Sequence, residues 1–237
     1  MQRRTPIFIV TSSRPRVGKT LVARALTEYF CAQSRPVLAF DVNPGEFKLA
    51  ESLPDYAVAA SLDDTRGEMA LFDQLVADDG VPKVVDLGYL ALDRFFAVMK
   101  QIGFRAEALR RGVVPMVLFV ADTDERASHG YAKLAAAYPD LPLVAVFNEY
   151  VPQITWHRDS FPPTRRGGEP MTIPALTPVV RSVVDRRNFS FIAYASKATD
   201  TTSELFEWMR DVFLGFREIE VRLLLGELAP PQLKHSA

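Results

Sequence analysis

The stretch Ser13-Arg14-Pro15-Arg16-Val17-Gly18-Lys19-Thr20 constrains the fold of this chain more than any other, because of what flanks it. Before it runs the apolar Ile7-Phe8-Ile9-Val10. After it, Leu21, Val22, Ala25, Leu26, Tyr29 and Phe30 recur at helical spacing. The segment therefore reads as strand, loop, helix. In that setting a loop ending Gly-Lys-Thr can turn its backbone N–H groups around a phosphate, and the helix N-terminus adds a partial positive charge. Gly18 lets the backbone approach closely, Lys19 can reach β- and γ-phosphates, and the Thr20 hydroxyl can bind Mg²⁺. Ser13 stands where the usual G-x-x-x-x-G-K-[ST] pattern has its first glycine, so the loop is a variant.

The 237 residues suffice for one large domain, which we expect over 1–229, with a loose tail over 230–237 after Pro230-Pro231. A formal net charge of -1 gives no global pull toward nucleic acid or an anionic membrane, so any such binding needs a local patch. Cys31 is the single cysteine and lies on the apolar pattern of the first helix, which excludes an internal disulfide framework. Met1-Gln2-Arg3-Arg4 is basic, but Ile7 to Val10 is too short for a signal peptide, and no apolar run approaches bilayer length. A cytoplasmic location is the expectation. His129, His157 and His235 are scattered without metal-ligand spacing, and no Ser-His-Asp arrangement can be argued from spacing.

Along the chain, Val37 to Phe40 reads as a buried strand ending at Asp41, followed by the polar turn Val42-Asn43-Pro44-Gly45. Leu49 to Leu62 is ambiguous, with Pro54 interrupting any helix. An amphipathic helix is expected from Glu68 to Ala77, then a short strand from Val81 that closes on Asp86-Leu87-Gly88. Helices follow over Leu90 to Ile102 and Arg105 to Arg111, before the strongest buried strand, Val113 to Val120. A helix to about Ala137 then leads into a strand over Leu141 to Phe147 that ends at Asn148. Buried strands alternating with helices argue an α/β fold, a mostly parallel sheet with helices on both faces. Glu149 to Pro174 reads as an irregular insertion, Ala175 to Asp185 as a helix, Phe189 to Tyr194 as a last strand, and Thr202 to about Gly226 as a long helix.

Lys19-Thr20, Asp41 with Asn43, Asp86 and Asn148 thus stand at four strand ends in order. In this order the chain resembles a divergent member of the ParA/MinD branch of the P-loop ATPases, the deviant Walker A group of SIMIBI type related to nitrogenase iron protein. The resemblance covers Ile7 to about Phe147, and the remainder in outline. That family's loop reads x-K-G-G-x-G-K-[ST], its second strand leads to D-x-D-P, a later strand ends in a Walker B aspartate, and an asparagine after a further strand touches adenine. The resemblance implies P-loop NTPase architecture and a site for ATP and Mg²⁺. Ser13, Gly18, Lys19 and Thr20 would then form the phosphate loop, with Thr20 on Mg²⁺ and Asp86 holding it through water. Gly88 would approach the γ-phosphate, Asn148 would touch the base, and Asp41 matches the first acid of D-x-D-P. Standing alone, Asp41 and Asp86 read more readily as solvated strand-end acids or helix caps than as catalytic groups, and Asn148 as a turn residue.

The departures carry as much information. Arg14 stands at the signature lysine, which in the family reaches across an ATP-sandwiched dimer; a guanidinium keeps the charge but has another reach and geometry. Pro15 and Arg16 replace two glycines, removing one N–H from the cradle and making positive φ costly. Asn43 replaces the water-activating aspartate; an amide can orient water but cannot take its proton. With Lys19, Arg14 and Asn43 as its catalytic group, the chain is expected to be a slow ATPase switch, dimerising around Mg-ATP and positioning or regulating a cargo or protein partner. A pseudo-ATPase that senses nucleotide and docks another protein is the first alternative. An ATP-dependent ligase similar to dethiobiotin synthetase or the cobyrinate amidases is the second, although Val85-Asp86-Leu87-Gly88-Tyr89 stands where the former carry Glu-Gly-Ala-Gly-Gly.

Arg158, Arg165, Arg166, Arg181, Arg186 and Arg187, interleaved with Trp156 and Phe161, could serve nonspecific DNA binding by a dimer; a solvated loop and helix face explains them at least as well. The last helix carries Glu218, Glu220 and Glu227, so a docked terminal helix or dimer contact suits it better than a membrane-surface helix.

Overall fold

A computed structural model describes residues 4–150 and 158–226. The first half builds β1 (Thr5–Thr11), α1 (Lys19–Ala32), β2 (Leu38–Val42), α2 (Lys48–Ser52), β3 (Ala57–Ala59), α3 (Thr65–Leu75), β4 (Lys83–Leu87), α4 (Leu92–Gln101) and α5 (Phe104–Arg110). The second half builds β5 (Val113–Val120), α6 (Glu125–Ala137), β6 (Leu143–Asn148), β7 (Met171–Ile173), α7 (Pro178–Val184), α8 (Phe191–Lys197) and α9 (Glu204–Gly226).

The seven strands form one sheet in the order β3-β2-β4-β1-β5-β6-β7, every pair parallel. Alternation within each strand decides which layer a side chain joins. Phe8 and Val10 of β1, with Met116 and Leu118 of β5, pack against α1, α8 and α9. Ile7 and Ile9, with Val117 and Phe119, pack against α3, α4, α5 and α6. Both faces are therefore covered, which is why the central strands read as continuous apolar runs rather than alternating ones.

The sheet sets the site through register. Asp41 and Asp86 are direct neighbours across β2 and β4, and Asp86 also pairs with Val10 of β1. From β1 the strand order runs outward in both directions, to β4 on one side and β5 on the other. A crevice opens at that reversal, outside the strands' carboxyl ends.

Two expectations are corrected, and one open stretch is settled. Phe189 to Tyr194 is not a strand: α8 begins at Phe191, with the Ser190 hydroxyl accepting the Ala193 N–H as its N-cap. The alternating Phe189, Phe191 pattern arises instead because both rings flank the Arg24 guanidinium, at 5.3 and 5.0 Å. The stretch Glu149 to Pro174 is not wholly irregular, since Met171–Ile173 adds the edge strand β7 to β6 and Arg158–Ser160 forms a single 3-10 turn. The ambiguous Leu49 to Leu62 resolves into the end of α2 and the edge strand β3. Trp156, His157, His235 and the 230–237 tail lie outside the described residues.

Candidate functional site

The loop between β1 and α1 closes on Gly18, the N-cap of α1, at φ 94°. A side chain there would run into the Asn148 amide, so glycine is needed for space as well as for torsion. No side chain caps α1, which leaves its first N–H groups to an anion. Arg16 also sits in the left-handed region, at φ 60°, although it has a Cβ. The loop thus takes the turn that glycine takes elsewhere, at a steric cost of about 1–2 kcal/mol.

Behind Thr20 stands the end of β4. The Thr20 hydroxyl donates to Asp86 Oδ2 at 2.7 Å, while the buried Oδ1 has no hydrogen-bond partner among the described residues. Burial pushes the Asp86 carboxyl up to about 7, against the Thr20 hydrogen bond that favours its charged form. Buried Lys19 lies on the same helix turn; burial lowers its ammonium below the ordinary value, and the Asp86 charge partly opposes this. Its Nζ donates to the Arg14 carbonyl at 2.7 Å, inside the loop.

These residues fit Mg²⁺. A donor hydroxyl bonded to a carboxylate keeps oxygen lone pairs for a cation, and the carboxylate behind it serves as the outer shell. Mg²⁺ typically takes one or two protein ligands beside phosphates and water, so one hydroxyl with a carboxylate behind it suffices for such a site.

Asp41 and Asn43 act on each other. Asp41 Oδ2 accepts the N–H groups of Leu49 and Ala50, at 2.7 and 3.1 Å, and so holds the start of α2. Its Oδ1 accepts the Asn43 amide at 2.8 Å, and that amide also donates to the Asp86 carbonyl at 3.1 Å. Burial raises the Asp41 carboxyl above its ordinary value, with the Asn43 hydrogen bond pulling the other way. Asn43 Oδ1 faces Gly88, where a Cβ would come within 2.7 Å of it.

Arg14, Ser13 and Asn148 are turned inward. The Arg14 guanidinium is held by Asp122 at 3.6 Å and Asp124 at 3.1 Å, the second being the N-cap of α6. The Ser13 hydroxyl donates to the Arg126 carbonyl. The Asn148 amide donates to the Val17 carbonyl at 2.9 Å, tying the end of β6 to the loop.

Gly18, Lys19, Thr20, Asn43 and Gly88 line one cleft of about 880 Å³. Asp41, Asp86 and Asn148 are buried and do not line it, and Ser13 and Arg14 turn to the start of α6. The cleft continues along residues that the motifs do not name: Tyr89 and Leu90 after Gly88, Lys48 and Glu51 on α2, and Arg24, Arg181 and Asp185. Arg24, one turn beyond Thr20, is the one with a sequence signal, a charge on the apolar side of α1. Four arginines of the suspected basic cluster meet acids: Arg165 and Arg166 meet Asp140, Arg181 meets Asp185, and Arg187 meets Glu51.

No protein-family model matches the chain, and no curated protein matches it. Solved structures do. The chain is similar to a candidate plasmid partition protein from Borrelia burgdorferi B31 bound to AMPPNP, at 11% identity and a TM-score of 0.51, covering 91% of this chain and 99% of that one. It is also similar to a chain of the MinC:MinD cell division protein complex from Aquifex aeolicus, at 16% identity and a TM-score of 0.48, covering 96% and 98%. The signal recognition particle receptor FtsY from Elizabethkingia anophelis matches at 14% and 0.41, covering 90% and 66%. At such identities likeness speaks for fold. The chain shares the parallel α/β fold of that partition protein.

Proposed function

We propose that the chain binds Mg-ATP in the 880 Å³ cleft, dimerises around it and works in the cytoplasm as a slow ATPase switch that positions or regulates a partner. The observation that carries this reading is the Thr20 hydroxyl on Asp86 Oδ2 at 2.7 Å, beside a buried Oδ1 without a hydrogen-bond partner among the described residues. A fold relative that holds AMPPNP, an ATP analogue, agrees with it.

The uncapped N–H groups of α1 would take the phosphates, and Lys19 would exchange the Arg14 carbonyl for a phosphate oxygen. Bound Mg²⁺ would neutralise charge developing on the transferred phosphoryl group. Thr20 would hold the cation through an oxygen lone pair while its hydroxyl goes on donating to Asp86. Asn43 keeps its N–H groups on Asp41 and Asp86, which leaves Oδ1 to orient a water without accepting its proton. Loss of a general base typically costs about 10²–10⁴ in rate, so turnover is expected below about 1 s⁻¹. A phosphate-release assay with Mg-ATP tests this, and faster turnover contradicts a long-lived bound state.

One observation favours a second reading, a docking protein that senses nucleotide without hydrolysing it. Arg14 is anchored within its own chain by Asp122 and Asp124 rather than standing free to act on a partner's nucleotide. Binding with no release of phosphate at all would select this reading.

A further inference from the structure

At the edge of the molecule away from the phosphate loop lies a second concavity, of about 1100 Å³, between α9 and the C-terminal end of α1. Phe206, Phe213, Leu214, Val221 and Leu224 line it along α9, over about 27 Å at the helical rise of 1.5 Å per residue. Leu214 is 50% exposed and Val221 46%, so the outward stripe of α9 is apolar and uncovered in the monomer.

Charge along this groove is one-sided. Among the described residues, Arg4, Arg35, Arg210 and Arg217 line it, against Glu220 as the one acid. Glu220 is buried and already accepts from Arg35 at 2.7 Å and from the Tyr29 hydroxyl at 3.1 Å. Arg210 meets Asp211, the next residue, and Arg217 makes no ion pair among the described residues. The two arginines stand about 10 Å apart along α9, two turns.

We infer that this groove docks an acidic amphipathic helix of a partner protein, its apolar i, i+3, i+4, i+7 anchors on α9 and its carboxylates against Arg210 and Arg217. Length and charge spacing argue for a helix. A single-headed amphiphile offers one anionic group, whereas the basic groups here are spread along the groove. A second copy docked face to face would bring the same arginines together. The chain's own residues 227–237 hold one acid, Glu227, against Lys234, with Pro230-Pro231 between them, and lack an acidic helical pattern. The inference is independent of the nucleotide reading, because no residue of this groove lines the other cleft.

Fluorescence anisotropy of the full chain with three labelled peptides of about 18 residues, long enough to span the groove, tests it. The first carries leucine anchors flanked by glutamate, the second has lysine in place of glutamate, and the third is a scramble of the first. The glutamate peptide is expected to bind at least about tenfold tighter than the other two, and less tightly as salt rises. The double variant Arg210→Glu, Arg217→Glu is expected to reverse the preference toward the lysine peptide, an outcome that misfolding cannot produce. Equal binding of glutamate and lysine peptides, or none, overturns the inference. So does binding of phosphatidylserine vesicles without peptide binding, and so does self-association, abolished by Leu214→Asp, without peptide binding.

Discussion

Arg16 holds an exposed side chain in the left-handed region, at φ 60°, one position from the exposed Pro15. Replacing it with glycine removes the clash between Cβ and backbone, so Arg16→Gly is expected to stabilise the nucleotide-free protein by about 1 kcal/mol in thermal unfolding. An unchanged or lower midpoint would show that the arginine makes a contact worth the strain. The cost of this position was legible in the sequence, since the loop pattern asks for glycine there. That the loop would still take the glycine turn was not legible, because it depends on α1 and Asn148 holding both ends. Asn43 shows the opposite limit. The family pattern invites Asn43→Asp as a gain of catalytic base, yet the Asn43 amide donates to Asp41 Oδ1 and to the Asp86 carbonyl. A carboxylate there has no proton to give and faces another carboxylate. Asn43→Asp is therefore expected to destabilise by about 1–3 kcal/mol in denaturant unfolding. Unchanged stability would mean that the side chain turns out into the cleft.

Among the elements, α1 does the most to join the site to the later helices. Arg24 donates to the Val184 carbonyl at the end of α7 and stands between Phe189 and Phe191, while Glu28 accepts from the Ser190 hydroxyl and the Ile192 N–H at the start of α8. Burial raises the Glu28 carboxyl above its ordinary value of 4.5, and the Ser190 and Ile192 hydrogen bonds pull it back only part of the way. The folded state then holds more proton than the unfolded chain above about pH 4.5, so this group's contribution to stability falls as pH rises from there through its folded value. Glu28→Gln removes that slope. The stability of wild type minus that of the variant is expected to decline with rising pH, and a flat or rising difference would contradict the assignment. Sequence pattern found α1 from its apolar spacing but misread α8 as a strand. Periodicity over Phe189, Phe191 and Ala193 could not show that two rings flank a cation on α1, nor that Ser190 is a cap rather than a strand residue. The edge strand β7 escaped for a related reason: three residues carry too little alternation to be recognised without their partner β6.

For the whole molecule, the order of strand ends along the chain was enough to place the loop from Ser13 to Thr20, Asp86 and Asn43 together, because a parallel sheet brings its carboxyl ends to one edge. The cleft's further wall was not legible, since Arg24, Arg181 and Asp185 are gathered by the packing of α7 on α1 rather than by a motif. Arg165 and Arg187 meet Asp140 and Glu51, acids far from them in sequence, which a count of charges along the chain could not show. What the molecule does turns on whether the cleft takes a nucleotide. Calorimetric titration of the full chain with Mg-ATP, beside Lys19→Ala, addresses this directly. Saturable binding by wild type that is lost or at least about tenfold weaker in Lys19→Ala, with both proteins melting alike without ligand, is the expected result. No binding by wild type, or equal binding by the variant, would contradict it and leave the fold as a scaffold whose phosphate loop has lost its role.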